Sequence, residues 1–129
     1  MPERYPEQLL CPGESEAVAL ENVRNEPFVL MYRESTQREL TDAMFARAGF
    51  TPHVLMETAS NQTVLSMIRA RLCVGIIPYH YVRQKPEGVR FYPLTQHPTW
   101  TVYACYRRGG YLTKAAREFL SLAKEFWTK

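Results

Sequence analysis

Pro27-Phe28-Val29-Leu30-Met31-Tyr32 is a continuous apolar run of about six residues, the length and content of a strand buried on both faces. The segment after this run decides the fold. Thr36 reads as an N-cap, and Glu39 three residues on completes a capping box. Leu40, Ala43, Met44 and Arg47-Ala48 continue at helical spacing, Gly49 stands where a left-handed helix end belongs, and Pro52 prevents continuation. His53 to Glu57 reads as a second strand, and Thr58-Ala59-Ser60-Asn61 supplies another N-cap. Val64, Leu65, Ile68 and Leu72 form one face of a second helix, and Val74-Gly75-Ile76-Ile77 is a third buried strand closed by Pro78. Strand, helix, strand, helix, strand with short links predicts an α/β fold on a parallel sheet with right-handed crossovers.

Outward from this centre the grammar loosens. On the amino side, Gln8-Leu9-Leu10-Cys11 reads as a brief strand ended by Pro12-Gly13, and a short helix is expected around Ala19 to Val23. On the carboxyl side, Tyr79 to Val82 reads as a single turn and Lys85-Pro86-Glu87-Gly88 as another. Val89 to Leu94 and Trp100 to Tyr106 are expected strands, and Arg108-Gly109-Gly110 breaks the chain. A last helix starts near Thr113, with Ala116, Phe119, Leu120, Ala123, Phe126 and Trp127 as a wide apolar stripe that must cover something. No internal repeat or low-complexity segment is present.

With 129 residues, 46% apolar and 22% charged, the chain has the size and composition of one ordinary globular domain. A fold of this length hides about two thirds of its unfolded surface, so it needs no staples. Cys11, Cys73 and Cys105 are an odd, widely spaced set without a Cys-x-x-Cys pair, as in reduced thiols of a cytoplasmic protein. No apolar run approaches the roughly 18 residues of a membrane span. The net charge of +3 is unevenly spread: six glutamates face Arg4 and Arg24 up to Glu26, whereas six cations face two glutamates from Thr101 onward. No basic stripe interleaved with aromatics suggests a nucleic-acid surface.

The predicted parallel sheet places the starts of both helices along one rim. Free N–H groups and the positive dipole ends favour small anions there, carboxylates foremost. Ser35, Thr36, Ser60 and Asn61 add side-chain donors, and Arg33 adds a carboxylate partner. Plain helix capping explains the same Ser, Thr and Asn, so at this level both readings stand. His53, His80 and His97 have no ligand spacing, so no metal site is expected. Cys73 and Cys105 are expected to behave as small buried hydrophobes. Tyr79-His80-Tyr81 is expected to cap the third strand and cover the rim. No P-loop, dinucleotide fingerprint or nucleophile elbow occurs, so no cofactor is implied and nothing demands an enzyme.

Taken together, Glu26-Pro27-Phe28-Val29-Leu30, Arg47-Ala48-Gly49-Phe50-Thr51-Pro52, Thr63-Val64-Leu65 and Gly75-Ile76-Ile77-Pro78 resemble the effector-binding domain of LysR-type transcriptional regulators. The Trp100-led segment and Leu112-Thr113-Lys114-Ala115-Ala116-Arg117-Glu118-Phe119-Leu120 resemble its closing part, so the likeness covers about 100 residues. The resemblance implies one lobe of a type 2 periplasmic-binding-protein-like fold, with two antiparallel crossover strands and a C-terminal helix. Residues 1–25 would hold the outgoing crossover, Gln8–Cys11, and a connector; 26–98 the effector-binding lobe; 99–129 the return crossover, Trp100–Tyr106, and a helix of the first lobe. A small effector would sit between lobes, touching Arg33–Thr36 and, beside them, Thr58–Asn61. The candidate contacts are therefore Arg33, Ser35, Thr36, Thr58, Ser60 and Asn61.

Two departures from the family carry expectations. Its members are about twice this length, with a helix-turn-helix, a linker helix and most of the first lobe ahead of the crossover. The chain therefore reads as a C-terminal part, reaching DNA only through a part it does not contain, without membrane contact. Its last helix, left without a first lobe, should drive self-association, a dimer in the simplest case. Second, the family's Gly-x-Gly turn before the third strand is here Arg71-Leu72-Cys73, where a positive φ is costly. Two rivals stay open: a small cytosolic α/β enzyme using Cys73 or His80, and a stand-alone solute-binding module.

Overall fold

The computed structural model describes residues 17–84 and 87–128. Strand β1 (Pro27–Met31) leads into helix α1 (Thr36–Ala48), then β2 (His53–Thr58), α2 (Asn61–Arg69) and β3 (Val74–Gly75). The three strands form one parallel sheet in the order β2-β1-β3, so the α/β reading holds. The first crossover steps one way from β1 and the second steps back past it. Two right-handed crossovers of opposite sense put α1 and α2 on opposite faces. Side chains of β1 show this directly. Phe28 and Leu30 join Met44 and Phe45 of α1 in one core, while Val29 joins Val64, Leu65 and Ile68 of α2 in the other. All three β1 residues are buried, as a strand covered on both faces requires.

Edge-to-face rings anchor the α1 side: Phe28 to Phe45 at 5.1 Å and Phe45 to Phe50 at 5.4 Å between centroids. On the α2 side, Gly75 makes close approach possible. A Cβ there would lie 2.7 Å from Val64 Cγ1 and 3.1 Å from Ile68 Cδ1. Strand β2 is an edge strand with an irregularity beside Leu55, since Phe28 pairs with Val54 and Val29 with Met56.

Several expectations are corrected. Ser35, not Thr36, caps α1, its side chain accepting from Arg38 N at 3.0 Å. The buried face of α1 is Gln37, Arg38, Thr41, Met44 and Phe45, while Ala43 and Arg47 face solvent. Leu72 lies beyond α2 and is 54% exposed. Val89–Leu94 is not a strand: Leu94 makes one isolated parallel bridge to Val18, whose N–H donates to Pro93 O at 2.9 Å. Val18, Leu20 and Val23 thereby join the α1-side core, the last two within a 3-10 turn, Leu20–Val23. Residues Trp100 to Tyr106 are exposed and pair with no strand among the described residues. A strand exists only by pairing, and Gln8–Cys11, the expected crossover partner, lies outside the described residues, as does Cys11. The turn after β3 is a longer 3-10 segment, Tyr79–Gln84.

Helix α3 (Lys114–Thr128) is capped by Thr113, whose hydroxyl accepts from Ala116 N at 3.1 Å. None of its residues is buried, and Phe119, Leu122 and Phe126 are more than half exposed. Its far end reaches His80, whose ring meets Trp127 edge-on at 5.4 Å. Among the described residues no helix is long and apolar enough to cross a membrane.

Candidate functional site

Parallel α/β sheets hold ligands beyond the carboxyl ends of their strands. Here β1 and β2 are neighbours, α1 and α2 leave them toward opposite faces, and the segments that follow, Met31–Ser35 and Thr58–Asn61, form one rim of the sheet. All six sequence-expected residues, Arg33, Ser35, Thr36, Thr58, Ser60 and Asn61, lie on this rim, and several contacts join its halves. Tyr32 N donates to Thr58 O at 3.0 Å, Gln37 and Asn61 exchange side-chain hydrogen bonds at 3.2 Å, and Arg33 Nε meets Glu57 Oε1 at 3.4 Å.

What each side chain does there differs. Ser35 and Ser60 are caps, each accepting from the backbone three residues on, Arg38 N at 3.0 Å and Thr63 N at 3.3 Å. Thr58 Oγ1 accepts from Ser60 N at 3.2 Å and shapes the turn into α2. Thr36 Oγ1 accepts from the Trp100 indole at 3.2 Å, closing one side of an open groove lined by Trp100, Thr101, Val102 and Tyr103. Asn61 is engaged with Gln37, whose amide also donates to Ile76 O at 3.1 Å. One glutamine thus ties together the starts of both helices and the chain after β3. The N–H groups of Thr36 and Gln37, and of Asn61 and Gln62, lie in first helical turns, where no intrahelical carbonyl reaches them. They supply the rim with donors and with the positive ends of two helices.

Below the rim sits a charged cluster that sequence reasoning missed. Arg38 is buried, its side chain 7% exposed. Its guanidinium donates to Asp42 Oδ1 and to Met31 O, both at 2.8 Å, and lies 3.3 Å from Glu57 Oε1. Burial alone would raise the Glu57 carboxyl, yet hydrogen bonds and charge from Arg38 and Arg33 outweigh it and hold the group below the ordinary glutamate range. Arg38 likewise stays firmly protonated: burial opposes its charge, and Asp42 and Glu57 more than offset that. The available signal was positional. Gln37 and Arg38 share the helix face of Thr41, Met44 and Phe45, and a polar side chain on a buried face needs a partner elsewhere in the fold.

The cysteines divide. Cys73 precedes β3, at the end of the sheet opposite the rim, and is buried; that burial pushes its thiol up. Cys105 is exposed, contrary to the expectation of an apolar setting. His80 stacks on Tyr81 at 4.1 Å, and Tyr79 points into solvent, 77% exposed. No group of three or more His, Cys, Asp or Glu converges among the described residues.

Comparison with known proteins agrees with this architecture. The LysR substrate binding domain family matches residues 4–128. The chain is 28% identical over 109 residues to the uncharacterized HTH-type transcriptional regulator YwbI of Bacillus subtilis, covering 83% of this chain and 36% of that protein. It is 26% identical over 113 residues to the uncharacterized regulator YcgK of the same organism, covering 88% and 35%. With the HTH-type transcriptional regulator XapR of Escherichia coli it shares 33% identity over 89 residues, 69% of this chain and 30% of that protein. The chain spans about a third of the length of these curated relatives, which are thus longer than the twofold expected from the sequence. A parallel α/β lobe with a C-terminal helix and a match along nearly its whole length establish that the chain belongs to the LysR substrate-binding domain family.

Proposed function

We propose that this lobe senses a small anionic metabolite, a carboxylate foremost, and that the complete regulator converts its capture into altered DNA binding. One observation carries the reading. The carboxyl ends of β1 and β2 are neighbours in the sheet, so the starts of α1 and α2 and the exposed Arg33 lie along one rim, which supports an anion site there. In this reading Arg33, Ser35, Thr36, Thr58 and Ser60 meet the effector, and Asn61, engaged with Gln37, positions the α2 start. Residues 1–25 lead in from the first lobe, 26–98 form the sensing lobe, and 99–129 return to the first lobe. Closure of a partner lobe over the rim excludes water and shifts how subunits of a dimer pair. DNA contact belongs to the helix-turn-helix portion that gives the relatives their names, and the setting is the cytoplasm. Catalysis is disfavoured because Cys73 lies buried at the wrong end of the sheet and His80 is engaged with Tyr81 and Trp127.

Calorimetry of a two-lobe protein carrying this chain, titrated with a panel of carboxylate metabolites, tests the reading. Thr36→Ala combined with Ser60→Ala is expected to weaken the effector about tenfold or more, since each removes a donor beside the anion. Unchanged affinity in the double variant sinks the site assignment.

A further inference from the structure

Glu57 Oε1 serves two guanidinium groups at nearly equal range, Arg38 Nη1 at 3.3 Å and Arg33 Nε at 3.4 Å, but the two partners are not alike. Arg38 is 7% exposed and held on two further sides by Asp42 and the Met31 carbonyl. Arg33 is 77% exposed, and among the described residues its hydrogen-bond partner is Glu57. Glu57 therefore has one fixed cation and one exchangeable one. If Arg33 swings away, Arg38 still neutralises Glu57, so no carboxylate is left unpaired in a partly buried place. The cluster is also electrically balanced, two arginines against Asp42 and Glu57. Within this cluster no cation is left over for an incoming anion until Arg33 is released.

We propose that Glu57 is the internal stand-in for the effector carboxylate: it holds Arg33 while the rim is empty and surrenders it on binding, which makes Glu57 a determinant of affinity and selectivity. The inference rests on the anion-sensing reading above and deepens it. A small anion that offers Arg33 nothing beyond what Glu57 offers is rejected. A carboxylate that also takes N–H groups from the α1 start gains contacts that Glu57 cannot make and wins the exchange.

The test monitors the Arg33 side-chain N–H and the backbone N–H groups of Thr36 and Gln37 by NMR in the 129-residue chain. Sodium succinate is the probe, with sodium chloride at matched ionic strength as the control. Glu57→Gln keeps an oxygen for Arg38 but removes the competing charge. It is expected to lower the half-saturating succinate concentration by about two- to fivefold, the range an exposed ion pair can supply. In an Arg33→Gln background the same change brings no gain. Arg33→Gln alone leaves the buried Arg38–Glu57 pair intact and weakens succinate at least about twofold, a check independent of how well Glu57→Gln folds. Equal half-saturation in wild type and Glu57→Gln, an undiminished gain without Arg33, or an unaffected Arg33→Gln variant overturns the proposal while the rim stands as an anion site. If Thr36 and Gln37 answer succinate no more than chloride in every protein, the rim reading falls and this proposal with it.

Discussion

Helices α1 and α2 end in the same hydrogen-bonding pattern on different residues. After α1, Gly49 N donates to Ala46 O at 3.2 Å and Phe50 N to Phe45 O at 3.3 Å, with Gly49 at φ +74°. After α2, Arg71 N donates to Ile68 O at 2.9 Å and Leu72 N to Met67 O at 3.2 Å, with Arg71 at φ +62°. Both are Schellman ends, and the left-handed position suits glycine because a Cβ there crowds the backbone. The unusual Arg71 of the sequence therefore does not rebuild the turn; it occupies it under strain, and Cys73 escapes a positive φ. Arg71→Gly is expected to raise stability by about 0.5–1 kcal/mol, the relief of strain being partly offset by greater freedom of the unfolded chain. Urea unfolding midpoints measure this, and a midpoint that stays or falls refutes it. The cysteines give a second residue-scale expectation. Iodoacetamide should modify exposed Cys105 quickly and reach buried Cys73, whose thiol burial keeps protonated, only after unfolding. Peptide mapping of Cys73 labelled as fast as Cys105 under native conditions contradicts this.

At the scale of the element, the existence, order and type of β1, α1, β2 and α2 were legible because each carries its own punctuation: an apolar run, a cap, a glycine or a proline. The polar part of the inward face of α1 was not. Apolar spacing pointed to Met44, which is fully buried, to the half-buried Leu40 and Ala48, and to Ala43, which is exposed. It passed over Gln37, Arg38 and Thr41, which are buried too, each satisfied by a hydrogen bond. Those partners come from Ile76, Met31 and the helix itself, and the long-range ones cannot be inferred from local periodicity. The cap register also shifted by one residue. Ser35→Ala is therefore expected to cost about 1 kcal/mol, whereas Thr36→Ala costs no more than a few tenths. Thermal unfolding of the two variants checks the order, and an equal or reversed pair contradicts the Ser35 cap. The expected strand Val89–Leu94 failed for a related reason: alternation describes a side chain's preference, whereas a strand requires a neighbour for its backbone.

For the whole molecule, α3 is the conspicuous feature. Its stripe, with Phe119 at 69%, Leu122 at 64% and Phe126 at 58% exposure, is continuous apolar surface that water solvates poorly. The isolated chain is accordingly expected to self-associate as its concentration rises. Light scattering showing a monomer over a wide concentration range contradicts this. Phe119→Lys with Phe126→Lys should restore a monomer without loss of the core, since neither residue is buried.

The sequence by itself determined the α/β alternation, the direction of the strands, the two capped helix starts and the rim on which six candidate residues meet. These rest on short-range chemistry: backbone caps, φ restrictions and hydrophobic period. Only the tertiary structure decided how that rim is wired, with Gln37 joined to Asn61, Arg38 buried beneath Glu57, Arg33 left exchangeable at the surface, and Trp100 set against Thr36. Those pairings span 19 to 64 positions in sequence. They exist because two crossovers of opposite sense carry separate helices to the same end of one sheet, and no local pattern encodes which polar groups then find each other.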